Sequence, residues 1–139
     1  MNVLVDTSIW SLALRRKGAV ENDPALAELS SLVMHERVVM IGAVRQELLS
    51  GIKQTAQFEK LREWLRAFPD VELATTDYEN AAAFFNRCRA KGIQGSSTDF
   101  LICAVAAHHD FAIFTADEDF RHFTTVLPIA LHPFAASVH

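Results

Sequence analysis

The sequence predicts an α/β fold, a central parallel sheet of about four to five strands flanked by helices on both faces. Three observations carry this. Short, continuously apolar runs such as Val3-Leu4-Val5 recur, as they do in strands covered on both sides. Between them lie segments whose apolar residues repeat at three and four, the period of an amphipathic helix. The two kinds of segment alternate along the chain, which is the order of βαβ units.

Asn2–Asp6 reads as the first strand. Ser8–Arg16 reads as a helix ended by Arg15, Arg16, Lys17 and Gly18, where cations suit the dipole and glycine stops the turn. Asp23 is placed to cap the next helix, with Pro24 in its first turn and Leu26, Leu29, Leu32 and Val33 on one face. Val38–Ile41 predicts a second strand, and Gly42 opens a helix through Val44, Glu47 and Leu48 that stops near Gly51. Phe58, Leu61, Leu65 and Phe68 mark an amphipathic helix closed by Pro69. Val71–Ala74 predicts a third strand, after which Asp77 caps a helix carrying Tyr78, Ala81, Ala82, Phe85 and Cys88. Ser97–His109 is apolar nearly all round and so predicts a buried helix. His108 and His109 end it, where histidine suits the dipole, and are read as helix-terminal residues rather than metal ligands. Phe111–Phe114 predicts a fourth strand, Asp117–Phe120 a short turn or helix, and Thr124–Leu131 a last strand.

The 139 residues suit one domain, 1–139. At 50% hydrophobic content the chain can form a core without disulfide or metal staples. Cys88 and Cys103 sit in apolar helical contexts, as buried reduced thiols do. No signal-peptide pattern opens the sequence, and its longest apolar run, Phe100–Ala107, is far short of the ~20 residues of a membrane span. The expectation is a cytoplasmic protein with no membrane partner. A net charge of −4 argues against binding nucleic acid through bulk positive charge.

Ligands of such sheets sit beyond the carboxyl ends of the strands. Asp6 closes the first strand, Asp117 follows the fourth in "FTADEDF", Glu47 lies in the helix after the second, and Asp99 lies in the first turn of the buried helix. Each alone has an ordinary explanation as a cap or turn residue. Together in one crevice they would repel, since two charges about 4 Å apart cost about 4 kcal/mol at an effective dielectric of ~20. A hard divalent cation relieves that repulsion, prefers carboxylate oxygen, and leaves positions for water and phosphate. Setting those four aside leaves 13 of the 17 acids against 13 basic residues. Arg15, Arg16, Lys17 and Arg45 flank the front junctions and are candidate phosphate contacts. A receiver-type phosphoacceptor domain also gathers acids at strand ends, but it needs a lysine after a late strand, and none follows Lys91.

"VLVDTSIW", Glu47 in "AVRQELLSG", "SSTDFLICAVAAHH" and "IFTADEDF" resemble, in order and across the chain, the motifs of PIN-domain ribonucleases, and among them VapC-type toxins of toxin–antitoxin pairs. The resemblance implies a PIN-like fold and an endoribonuclease dependent on Mg2+ or Mn2+, with water activated by carboxylate-held metal. It also implies an RNA substrate, a homodimer, and a VapB-type antitoxin that blocks the crevice. It assigns metal binding to Asp6 and Asp99 and further acidic roles to Glu47 and Asp117, with Thr7, Ser97 and Thr115 in support. "TADEDF" is ambiguous: Asp117 follows Thr115 by two as in the family pattern, and Asp119 is the reserve. The alternative is a non-catalytic binding module that keeps the fold. The early helices, with Trp10 and Leu14, are the candidate antitoxin groove.

Overall fold

The computed structural model describes residues 2–15 and 23–134. Three apolar residues suffice for β1 (Val3–Val5), because both of its faces are covered and all three side chains are fully buried. β2 (Val38–Val39) lies on one side of β1 and β3 (Ala112–Phe114) on the other, with β4 (Ala130–Leu131) outside β3. The order is β2-β1-β3-β4 and every pairing is parallel, with Val3 opposite both Val38 and Ala112. The chain therefore leaves β1 to one side first and returns to its other side later. The strand order reverses at β1/β3, and it is there that a parallel sheet opens a crevice.

The helices follow from the apolar periodicity. α1 (Thr7–Arg15) and α2 (Pro24–Met34) link β1 to β2, and the Asp23 carboxylate accepts the Ala25 N–H at 2.9 Å as the expected cap. α3 (Gly42–Leu49), α4 (Thr55–Leu65), α5 (Thr75–Ala90) and α6 (Ser97–His109) join β2 to β3, and α7 (Asp119–Thr124) joins β3 to β4. α6 is the central helix, as its all-round apolarity requires: Phe100 and Ile102 through Ala106 are buried. Its C-cap, Asp110, adopts the left-handed conformation at φ 57°. Gly95 precedes α6 where a Cβ would stand 2.6 Å from the Phe123 ring and 3.0 Å from Phe100, so no larger residue fits unless those rings move.

Three expectations need correction. Val71–Ala74 is not a strand. The sheet edge there is limited to a single bridge from Met40 to Asp70, because Arg45 holds the Asp70 side chain and the Asp77 carboxylate takes the Ala74 N–H to start α5. Asp77 is accordingly not the cap residue but the third residue of α5, reaching back to Ala74. Thr124–Leu131 forms a strand only at Ala130–Leu131, because the preceding residues complete α7 and its turn.

Candidate active site

Asp6 is 4% exposed and follows β1 directly. Its backbone N–H still bonds to the Phe114 carbonyl at 2.9 Å, so the sheet pairing fixes its position. Its Oδ2 accepts from the Ser8 hydroxyl at 2.7 Å, the Thr115 hydroxyl at 2.8 Å and the Ser8 N–H at 3.3 Å. Burial pushes the Asp6 carboxyl above the usual carboxylate range, against the lowering effect of the Ser8 and Thr115 hydroxyls and of the Ser8 and Thr7 amides. Thr115 also accepts the Asp117 N–H at 3.0 Å, so one hydroxyl ties the ends of β1 and β3 together. The Ser8 hydroxyl accepts the Ala116 N–H at 2.9 Å and closes the same loop.

Asp99 enters from α6. Ser96 caps that helix, its hydroxyl accepting the Asp99 N–H at 3.1 Å while the Asp99 carboxylate accepts the Ser96 N–H at 3.0 Å. The reciprocal cap fixes the side chain at the helix N-terminus. Asp99 too is held above its ordinary pKa. Burial is the first cause, and the charges of Asp6 and Asp117 add to it, while Ser96 opposes. The charges of Asp6 and Asp117 thus both reach Asp99, close to the reversal of strand order. Among the described residues no lysine or arginine forms an ion pair with any of the three. Thr7 Oγ1, beside Asp6 in the chain, is buried with no hydrogen-bond partner among the described residues. All of the donors here are oxygen, and an uncompensated set of this kind fits a hard divalent cation.

Residues 3–125 match the family model of the PIN domain. The chain belongs to the PIN domain family. No curated protein sequence matches it significantly. Solved PIN-like structures share the fold. FitAcB from Neisseria gonorrhoeae is 21% identical with a TM-score of 0.72, covering 94% of this chain and 97% of that one. VapBC2 from Rickettsia felis, bound to a promoter DNA fragment, is 15% identical with a TM-score of 0.72, covering 95% and 98%. A toxin–antitoxin complex from Klebsiella pneumoniae is 17% identical with a TM-score of 0.61, covering 86% and 90%.

Asp117 is half-buried and acts on Asp99. Asp119 is exposed at the start of α7, where its N–H bonds to Asp117 Oδ1 at 2.9 Å, so Asp117 is the inward acid of the pair. Glu47 does not lie on the buried side of α3 as its neighbours suggest. It is exposed, and among the described residues it makes no ion pair or hydrogen bond. Ser97 is exposed in the first turn, and the hydroxyl that supports Asp99 is that of Ser96, one residue earlier. Arg45 is not free for phosphate. Its guanidinium donates to Asp70 Oδ1 at 2.9 Å, to the Leu65 carbonyl at 3.0 Å and to the Phe68 carbonyl, clamping the end of α4. Arg15 is exposed at the end of α1, and Arg16 and Lys17 lie outside the described residues. Ser8 and Ser96 were not singled out from the sequence. The signal was present in "DTS" and "SSTD", where two adjacent hydroxyl residues compete for one role and only the backbone decides between them. Among the described residues no helix is long and apolar enough to cross a membrane.

Proposed function

We propose that this PIN-domain protein is a divalent-metal-dependent endoribonuclease, acting as the toxin of a toxin–antitoxin pair. The observation that carries the reading is that buried, hydrogen-bonded Asp6 and half-buried Asp117 both act on Asp99, and that among the described residues no lysine or arginine forms an ion pair with any of the three. Asp6 and Asp99 would hold Mg2+ or Mn2+, and the all-oxygen donor set favours such ions. A bound ion would supply an oriented water of lowered pKa and charge neutralisation on a phosphodiester. The chain's own residues prepare that chemistry. Ser8 and Thr115 hold Asp6 in one rotamer, Ser96 holds Asp99, and the Thr115 hydroxyl sets the Asp6 position relative to the Asp117 backbone. Glu47 remains in the proposal through the resemblance, as an exposed acid on the helix that follows β2.

Asp6→Asn tests the reading. It is expected to abolish cleavage of single-stranded RNA in Mn2+ while a cooperative melting transition is retained. Cleavage at the wild-type rate would overturn the assignment, and a wild type inert in both Mg2+ and Mn2+ would favour the non-catalytic module.

The partner reading rests on the neighbours described as a toxin–antitoxin complex and as VapBC2, and on the surface around Trp64. Trp10 is fully buried, packing edge-on to Trp64 at 5.4 Å, so it belongs to the core and not to a groove. Trp64 itself is 43% exposed. It separates an apolar concavity bordered by Leu14 and Leu61 from another bordered by Leu26, Val33 and Met34. We place an amphipathic antitoxin helix there, its tail delivering a cation to the acidic crevice. Leu14→Asp should weaken a toxin–antitoxin complex more than it lowers cleavage; equal affinity for the antitoxin would move the groove elsewhere. A homodimer is part of the same proposal.

A further inference from the structure

The two ends of α6 carry different chemistry. Asp99 sits in its first turn and His108 and His109 in its last, about 14–15 Å apart along the axis at about 1.5 Å per residue. At the far end α6 meets the start of α5, and there Asp77, His108 and His109 bring three ligand atoms within 4.8 Å of one another. Asp77 is 1% exposed, while both histidines are open to solvent. Its Oδ2 accepts the Ala74 N–H at 2.8 Å, which fixes the carboxylate plane. Its Oδ1 meets His108 Nδ1 at 2.8 Å. The His109 ring stacks on His108 at 4.3 Å and on Phe111 at 5.1 Å, and among the described residues neither of its nitrogens is hydrogen-bonded. The carboxylate is held mostly in its charged form. Burial opposes this, but the Ala74 N–H and then His108 and His109 outweigh it, and the Asp77 pKa lies below the usual range.

We infer that Asp77, His108 and His109 form a second cation site, selective for a borderline transition-metal ion of the Zn2+ class and separate from the acidic crevice. Two imidazole nitrogens and one carboxylate oxygen are the donors such ions take, whereas Mg2+ prefers oxygen alone. Ligands about 2.0–2.1 Å from a tetrahedral ion stand about 3.3 Å apart, so the present 2.8 Å contact between Asp77 and His108 has to open only slightly. The ion takes the place of the hydrogen between them: His108 ligates through Nδ1 as the neutral imidazole with its one ring proton on Nε2, and any proton beyond that one is released to solvent. The Ala74 N–H orients the carboxylate from outside, as supporting hydrogen bonds do around metal ligands. The fourth position faces solvent and takes water. Bound there, the ion pins the start of α5 to the end of α6, the most extensive helix–helix contact among the described elements.

The test uses tag-free, full-length protein titrated with ZnCl2 or MnCl2 and followed by thermal melting, with Co2+ absorption reporting nitrogen ligation. Zn2+ at about a hundred times its Kd should raise Tm by roughly 5–10 °C, with one ion per chain. That shift should persist in Asp6→Asn/Asp99→Asn, which should lose the Mn2+ response. It should vanish in His108→Gln/His109→Gln, which should keep the Mn2+ response. Because Gln at position 108 can still bond to Asp77, and His109 makes no hydrogen bond among the described residues and loses only ring stacking, His109→Gln alone is expected to change the metal-free Tm by far less than the Zn2+ shift and to weaken Zn2+ at least tenfold. No Zn2+ response in the wild type, a response that survives the double His substitution, or one that disappears with the crevice aspartates overturns the inference. The two aspartate-to-asparagine changes keep this outcome distinguishable from failure of the nuclease reading.

Discussion

Thr115→Val removes one hydroxyl and nearly nothing else, and the structure says what that hydroxyl does. It donates to Asp6 Oδ2 at 2.8 Å and accepts the Asp117 N–H at 3.0 Å. Valine keeps the branched shape but makes neither bond. A hydrogen bond to a charged group contributes about 1.5–3 kcal/mol, so losing the one to Asp6 should lower the population of correctly held, ionised Asp6 by roughly 10- to 150-fold. Asp6 already lies above the usual carboxylate range because burial outweighs its hydrogen bonds, and removing one of them raises it further. The expected result is a drop of that size in RNA cleavage at neutral pH with saturating Mn2+, partly recovered at higher pH as Asp6 ionises. Thr115→Ser, which restores the hydroxyl, should recover most of the activity. The readout is the pH–rate profile of single-turnover cleavage, with the acidic limb moved to higher pH in the valine variant. A profile unchanged in shape, or equal losses in Val and Ser, would show that Thr115 contributes packing alone.

Metal-linked stability should carry a definite pH sign. Asp6 and Asp99 have raised folded-state values, so without metal the folded protein binds more protons than the unfolded chain, and stability falls as pH rises from the unfolded carboxylate range through the folded values; melts in EDTA from mildly acidic to neutral pH check this. Mn2+ at a hundred times its Kd should add about 2.7 kcal/mol at neutral pH, and equal melts with and without it at millimolar concentration would count against the carboxylate site. Gly95→Ala places a Cβ 2.6 Å from Phe123 and should destabilise by about 1–3 kcal/mol in urea titration, lowering Mn2+ affinity as the Ser96–Asp99 cap shifts; a change below a few tenths would mean that the rings move aside freely.

The fold was legible where local and tertiary preferences agree. β1, β3, α2 and α6 follow from residues that bury on every side or on one clean stripe, so period and burial give the same answer. Val71–Ala74 fails for a tertiary reason. Its β-branched and aliphatic residues alternate correctly, but Arg45 and Asp77 claim its two ends, and both partners lie outside the segment. The same blindness governs the site. Strand-end position points to Asp6 and Asp117, because it is a property of the chain order. Whether Ser96 or Ser97 supports Asp99 turns on helix phase, which sequence fixes only to within a residue or two. The trio at the end of α6 was missed because His108 and His109 acquire their third member from α5, 31 residues away.

On the proposed reading, Arg45 changes how the crevice would meet RNA. The sequence places it at a front junction of a chain with net charge −4, where a basic residue is the natural phosphate contact. The structure binds it to Asp70 and two backbone carbonyls, and a guanidinium with that many acceptors would leave buried carbonyls unpaired if it turned outward. Among the described residues on this side, Arg15 remains exposed at the end of α1. A polyanion approaching Asp6, Asp99 and Asp117 therefore meets carboxylates first, and their repulsion has to be cancelled before a phosphate can come within bonding distance. On the proposed reading the divalent ion does both jobs, drawing the substrate in and activating it. On the same reading the three carboxylates would also receive an arginine or lysine from a partner, because a side-chain cation satisfies the electrostatic demand without supplying the chemistry. Activation and inhibition then compete for one negative potential.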